Sequence, residues 1–193
     1  WFFLQEKKFN SALIHSKALD KRNKEAGDRI AKLAKTCLQN KEYEIAVKAY
    51  NYLLKKDKGS YFYRVARTKL VEVLNIKITE DPQSTNEDIL RLKQNYEDAL
   101  DELGRNAYTI DLIAGYAQLL AFKLNQTEKA KQELESALKI ARAQPQEIAN
   151  CKLILGDIYV KENEVWEAAL LYGQVNQDFK EDIIGHKAKL RTA

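Results

Sequence analysis

The chain has 193 residues, 45% of them hydrophobic and 31% charged, and its 32 Lys/Arg and 28 Asp/Glu leave a formal net charge of +4. Two prolines, seven glycines and two cysteines are too few turn formers for a loop-rich or β-rich fold and too few thiols for a disulfide framework. No apolar run approaches the ~20 residues that a membrane-spanning helix needs.

Apolar residues recur three and four apart nearly throughout, and no stretch sustains the alternation of a strand. In chain order, Trp1-Phe2-Phe3-Leu4 reads as the tail of a helix. Helices are then predicted at about 7–22, 25–39, 42–57, 60–78, 86–103, 106–124, 127–143, 146–161 and 164–180, and from about 183 onward. Asn40-Lys41-Glu42 makes a tight turn between two of them. Asp57-Lys58-Gly59-Ser60 joins a C-terminal Gly to a Ser N-cap. From Asp81 to Asn86 runs the longest irregular stretch: Pro82 stops one helix, and Ser84 or Thr85 caps the next with Glu87 or Asp88 behind it. Asn125-Gln126-Thr127 and Gln144-Pro145 are shorter breaks of the same kind.

The chain repeats itself after 34 residues: Leu4, Gln5, Lys7 and Ala12 recur as Leu38, Gln39, Lys41 and Ala46, and Phe9 becomes Tyr43. A helical chain with that period is an array of helix-turn-helix units, and such arrays hold partners far more often than they do chemistry. Leu155-Gly156, Tyr159, Ala168, Tyr172 and Val175 form one copy of the repeat pattern. Ile30, Leu33-Ala34, Cys37, Ala46, Tyr50 and Leu53 form another, with Cys37 in place of an aromatic. These residues resemble the tetratricopeptide-repeat (TPR) family, whose small residues let helices A and B approach closely while large ones fill the notch opposite. The segment from Trp166 to Val175, with Phe179-Lys180 and Gly185-His186 beyond, is similar to a larger group of bacterial repeat proteins. The middle departs from the pattern, since Ala46 and Ala130 lie 84 residues apart, two periods and 16 more. Even so, Leu92, Tyr96 and Ala99 keep the spacing of a helix B. The resemblance implies an all-α fold: a right-handed α-solenoid of about four to five antiparallel hairpins. It would form a single superhelical domain over 1–193, with an irregular repeat at about 60–104. Both ends read as open, as in a piece of a longer array.

No constellation of reactive residues rises above this background. Cys37 and Cys151 are spaced neither for metal nor for redox chemistry and read as small buried hydrophobes. Ser11 and His15 stand one turn apart, without the orienting acid, oxyanion site or strained turn of a serine nucleophile. His186 is solitary, and the glycines never cluster into a phosphate loop. Glu97-Asp98 and Asp101-Glu102 read as a solvated face. Trp166, one turn ahead of Leu170, reads as packing against a neighbouring repeat, with ligand stacking as the rival. The expectation is a non-enzyme with no cofactor and no metal.

In the TPR family the side chains of helix A outside the packing stripe line a concave groove. Carried onto this chain, those positions are Lys35 and Gln39, Asp157 and Lys161, and, in the irregular repeat, Arg64, Arg67 and Lys69. Basic residues there suit an acidic peptide or a C-terminal carboxylate. The family's chaperone-binding clamp, a particular Lys/Asn set on successive helices, is not reproduced. The function implied is a scaffold that binds a protein or peptide. Residues 1–80 hold 18 Lys/Arg against 9 Asp/Glu, net +9, and residues 81–193 hold 14 against 19, net −5. That asymmetry is compatible with head-to-tail self-association. Two alternatives remain: nucleic-acid binding by the basic half, which includes Tyr61-Phe62-Tyr63 but whose lysines are interspersed with acids, and a segment accessory to a larger enzyme. Nothing in the chain assigns a compartment.

Overall fold

The helical spacing of the apolar residues is realised in a computed structural model that describes residues 2–56 and 58–192. The readings made at Trp1 and Asp57 lie outside the described residues. Among the described residues the regular structure is α-helical: α1 Phe2–Gln5, α2 Phe9–Asn23, α3 Asp28–Gln39, α4 Tyr43–Leu53, α5 Tyr61–Glu80, α6 Asn86–Leu103, α7 Ile110–Phe122, α8 Thr127–Leu138, α9 Pro145–Lys161, α10 Val165–Asp178 and α11 Ile183–Thr192. Packing divides the chain into two compact units, Trp1–Asn95 and Tyr96–Ala193, with the boundary inside α6.

The sequence period reappears in the backbone. Lys7 (φ 53°), Lys41 (φ 60°), Asn125 (φ 54°) and Asn163 (φ 65°) are all left-handed, and each ends the first helix of a hairpin. Lys7 and Lys41 are 34 residues apart, and Asn125 and Asn163 are 38 apart. At all four turns the next N–H closes on the helix it has left, Lys8 onto the Phe3 carbonyl at 2.7 Å, and Glu42 onto Cys37, Gln126 onto Leu120 and Glu164 onto Tyr159, each at 2.8 Å, which satisfies carbonyls that the helix end exposes. Asn tolerates this conformation; Lys adopts it at a cost of roughly 1 kcal/mol.

In the first unit, Ile30, Leu33, Ala34 and Cys37 on α3 meet Ala46, Ala49, Tyr50 and Leu53 on α4 in one buried cluster, joined by Leu13 from α2 and by Ala66, Leu70 and Val73 from α5. In the second, α7 is buried nearly all round through Ile110, Ile113, Tyr116, Ala117 and Leu120, and Cys151, Ile154 and Ile158 of α9 are fully buried. Burial pushes the Cys37 thiol up to about 11 and that of Cys151 up to about 12, so both stay protonated and act as packing atoms.

Several helix ends differ from the reading above, each for a local reason. Ser60 accepts a hydrogen bond from the Tyr63 N–H at 3.1 Å, as expected of a cap. Thr85 and Asp88 form the reciprocal pair: Asp88 accepts from the Thr85 N–H at 2.9 Å, and Thr85 Oγ1 accepts from the Asp88 N–H at 3.2 Å. α4 stops at Leu53 rather than near 57, because Lys55 and Lys56 close tighter turns onto Tyr52 and Leu53. α8 stops at Leu138 rather than near 143, where Lys139 and Ile140 close onto Ser136 and Ala137 ahead of a left-handed Arg142. α7 begins at Ile110, since Asn106 and Thr109 tie residues 104–109 into a side-chain-bonded turn. Trp166 is not packed against a neighbouring repeat: it is 87% exposed on the outer side of α10.

Gly156 and Gly185 are among the glycines that close approach requires. A Cβ on Gly156 would lie 2.5 Å from the Tyr172 ring, and one on Gly185 would lie 1.8 Å from the Phe179 carbonyl oxygen. Gly173, with nothing within 4 Å, is the control. Gly156→Ala and Gly185→Ala are each expected to lower stability by about 1–3 kcal/mol. Gly173→Ala is expected to raise it by about 0.5–1 kcal/mol through helix propensity; urea unfolding of the three variants measures all of this.

Candidate peptide-binding faces

In the first unit the first helices of the hairpins, α3 and α5, pack beside one another. The buried stripe Tyr63, Ala66, Leu70 and Val73 turns one side of α5 inward. Arg64 is exposed and Arg67 half-buried on the same helix, while Lys35 and Gln39 are exposed on α3. Lys69 is half-buried, and its ammonium lies 2.5 Å from Glu72 one turn on.

In the second unit the two groove positions carried over from the family are engaged by packing. Asp157 accepts from the Tyr172 hydroxyl at 2.8 Å and from Arg191 at 2.7 and 3.0 Å, tying α9 to α10 and α11. Burial, followed by this bond to Asp157, pushes the Tyr172 hydroxyl well above the usual phenol range. Lys161 donates to the Ala121 carbonyl and, at 2.9 Å, to Asn125 Oδ1, fastening the end of α9 to the end of α7. The acids at 97–98 are also more than a solvated face: Glu97 accepts from the Tyr116 hydroxyl at 2.6 Å and from Lys129 at 3.0 Å.

What these latches leave open is a cleft of about 500 Å³ formed by three successive first helices. Gln118 comes from α7, Gln146, Asn150 and Leu153 from α9, and Ile183, Ile184, Lys187 and Arg191 from α11, with Asp182 just ahead of that helix. Amides, an ammonium and an apolar floor can hydrogen-bond to and cover a segment of extended chain. Sequence reasoning missed Gln118, Asn150 and Lys187. One signal was available: between Ile110 and Phe122 only Asp111 and Gln118 are polar, and a lone amide in so apolar a helix marks the side that is not core. His15, considered above with Ser11, stacks on Phe3 with ring centroids 4.7 Å apart.

If Asp157 is a packing latch, Asp157→Ala leaves the buried Tyr172 hydroxyl without its acceptor. The expected loss is about 1–3 kcal/mol of stability, read by urea unfolding, and Arg191→Ala should cost less because its side chain is 36% exposed.

No family model matches the chain, and no curated protein matches it in sequence. Solved structures do match. The chain is similar to a thermophilic TPR protein of Thermus thermophilus (17% identity, TM-score 0.67, covering 98% of this chain and 91% of that one). It is similar to MamA (15% identity, TM-score 0.62, 91% of each chain) and to YrrB, a TPR protein (20% identity, TM-score 0.58, 84% of this chain and 73% of that one). At these identities the likeness is one of fold, and the fold of this chain is that of an all-α tetratricopeptide-repeat protein, a helical solenoid of antiparallel hairpins.

Proposed function

We propose that the chain is a non-enzymatic scaffold that binds a protein through an extended peptide segment. The observation that carries this reading is the cleft over α7, α9 and α11, whose lining combines side-chain amides with Leu153, Ile184 and the charges of Lys187, Arg191 and Asp182. Gln118 and Asn150 both donate and accept, as the N–H and C=O groups of an extended backbone require. Lys187 favours an acidic side chain or a terminal carboxylate nearby. YrrB, similar in fold, is described as having an unusual peptide-binding site, which supports a peptide as the occupant. Lys35, Gln39, Arg64 and Arg67 on α3 and α5 make a second, more basic face in the first unit, proposed as a further contact for acidic peptide. Asp157 and Lys161, engaged between helices, are proposed to hold the second face in place, and Lys69, paired with Glu72 on its own helix, to contribute less to the first.

The full chain is tested against an arrayed library of acidic and neutral peptides. Asn150→Ala with Lys187→Glu is expected to weaken the best binders tenfold or more while the helical circular-dichroism signal is unchanged. Arg64→Glu with Arg67→Glu is expected to weaken acidic peptides selectively. Unchanged affinities in both folded variants would reject these faces.

A further inference from the structure

The second helices of the hairpins share a pair of outward positions, two residues before and two after a buried alanine. Around Ala12, Ala46, Ala130 and Ala168 they hold Asn10 and Ile14, Glu44 and Lys48, Glu128 and Gln132, and Trp166 and Leu170. All eight are exposed. Polar residues fill them on α4 and α8, as a solvated face demands. The exceptions are Ile14, 61% exposed, and Trp166 and Leu170, 87% and 64% exposed. Repeat packing does not explain these, because the same positions do without apolar residues elsewhere.

The surroundings of the two exceptions are opposite in charge. Glu164 and Glu167 flank Trp166 in sequence at the start of α10, and together with Glu135 of α8, all three exposed, they act on Tyr159. After burial, and against Lys131, their charges raise its ionisation above the usual phenol range. Beside Ile14, Lys17 lies with its ammonium 5.3 Å over the Tyr52 ring. After burial, Lys55, Lys48 and Lys21 hold its pKa below the ordinary ammonium value, which places four positive charges on the α2/α4 face. Beyond these contacts, residues 1–95 hold 20 Lys/Arg against 12 Asp/Glu and residues 96–193 hold 12 against 16, so each face lies in a field of its own sign.

We propose that the chain associates head to tail with a second copy, the Trp166/Leu170 face with its acidic rim seating on the Ile14 face with its lysine rim. The contact is heterologous, two different patches meeting, so each copy keeps one face for a further copy or for closing a ring. Apolar residues at the centre supply the burial, while the charged rims orient and accelerate the encounter. With three apolar side chains at its centre, the contact belongs to the small, weak and reversible class of interfaces. A nucleic acid fits the lysine face less well: the charges are lysines without a planar guanidinium among them, Ile14 is exposed one turn before Lys17, and the Tyr52 ring is already covered by Lys17 and Lys56.

Sedimentation velocity of the full chain at about 0.5 mM should show reversible association at about 50 mM salt, weakened tenfold or more at about 500 mM. Trp166→Glu with Leu170→Glu removes one face, and Lys21→Glu with Lys48→Glu reverses the other. Each variant alone is expected to be monomeric, and an equimolar mixture of the two to form a dimer that grows no further, because each retains the face the other lacks. A monomeric wild type, or a mixture that does not associate, overturns the proposal. So does a fluorescent oligonucleotide bound by the wild type and lost by the lysine variant, which would assign that face to nucleic acid.

Discussion

Tyr172 lies so close across Gly156 that a Cβ there would come within 2.5 Å of its ring, and Tyr96 meets Gly115 in the same way, its hydroxyl 2.6 Å from where a Cβ would be. An aromatic ring filling the space left by a missing side chain is the contact that sets how near paired helices come. In the first unit Ala34 and Tyr50, both fully buried, occupy the positions that match Gly156 and Tyr172. The ring gives dispersion contacts in number, and the Tyr172 hydroxyl reaches past the notch to Asp157; two further buried or half-buried tyrosines also donate to an acid, Tyr116 to Glu97 and Tyr52 to Asp20. The Asp20 case is the deepest, since the carboxylate is 1% exposed and is matched by Lys56 at 2.6 Å. A buried charge so held stabilises little by itself, but removal of either partner would strand the other.

This packing decides what is left for function. Polar side chains drawn into latches, among them Asp157, Lys161 and Glu97, are spent on joining helices. Those that face outward without such a partner in their own hairpin define the surfaces: in the second unit the amides and Lys187 of the α7, α9 and α11 cleft and, on α10, Trp166, and in the first unit Ile14 on α2. A hairpin array offers both sides at once because each helix buries only one stripe.

Much of the fold was legible because it is written locally. The 34-residue repeat, the small-and-aromatic pairs such as Gly156 with Tyr172, and the caps at Ser60 and Thr85 all act within a hairpin or a turn. The site was less legible for the opposite reason. Asp157 and Lys161 sit at groove positions by spacing, yet their partners, Arg191 on α11 and the end of α7, lie 34 and 36 or more residues away, and no periodicity reports such bonds. Trp166 misled because a large residue near a family core position reads as core. Rotation of a helix by two residues carries a side chain from the packed stripe to solvent, and Trp166 lies two before Ala168. The end of α8 was read too long for a related reason: Ala141 and Ala143 are good helix formers, but a left-handed Arg142 between them has already turned the chain toward Pro145.

The tyrosines allow the packing account to be tested directly. Burial, first, and a hydrogen-bonded acid, second, push Tyr52 and Tyr116 up to about 12, and burial with Glu72 nearby pushes Tyr50 up to about 12. A phenol whose pKa is raised by folding stabilises the fold fully below its unfolded value of about 10 and loses that contribution as pH rises toward 12. In a spectrophotometric titration with circular dichroism followed in parallel, the account predicts that part of the tyrosinate absorbance appears only near pH 12, together with loss of helix. Ionisation of all ten tyrosines in a single step near pH 10, with the helices intact, would contradict it.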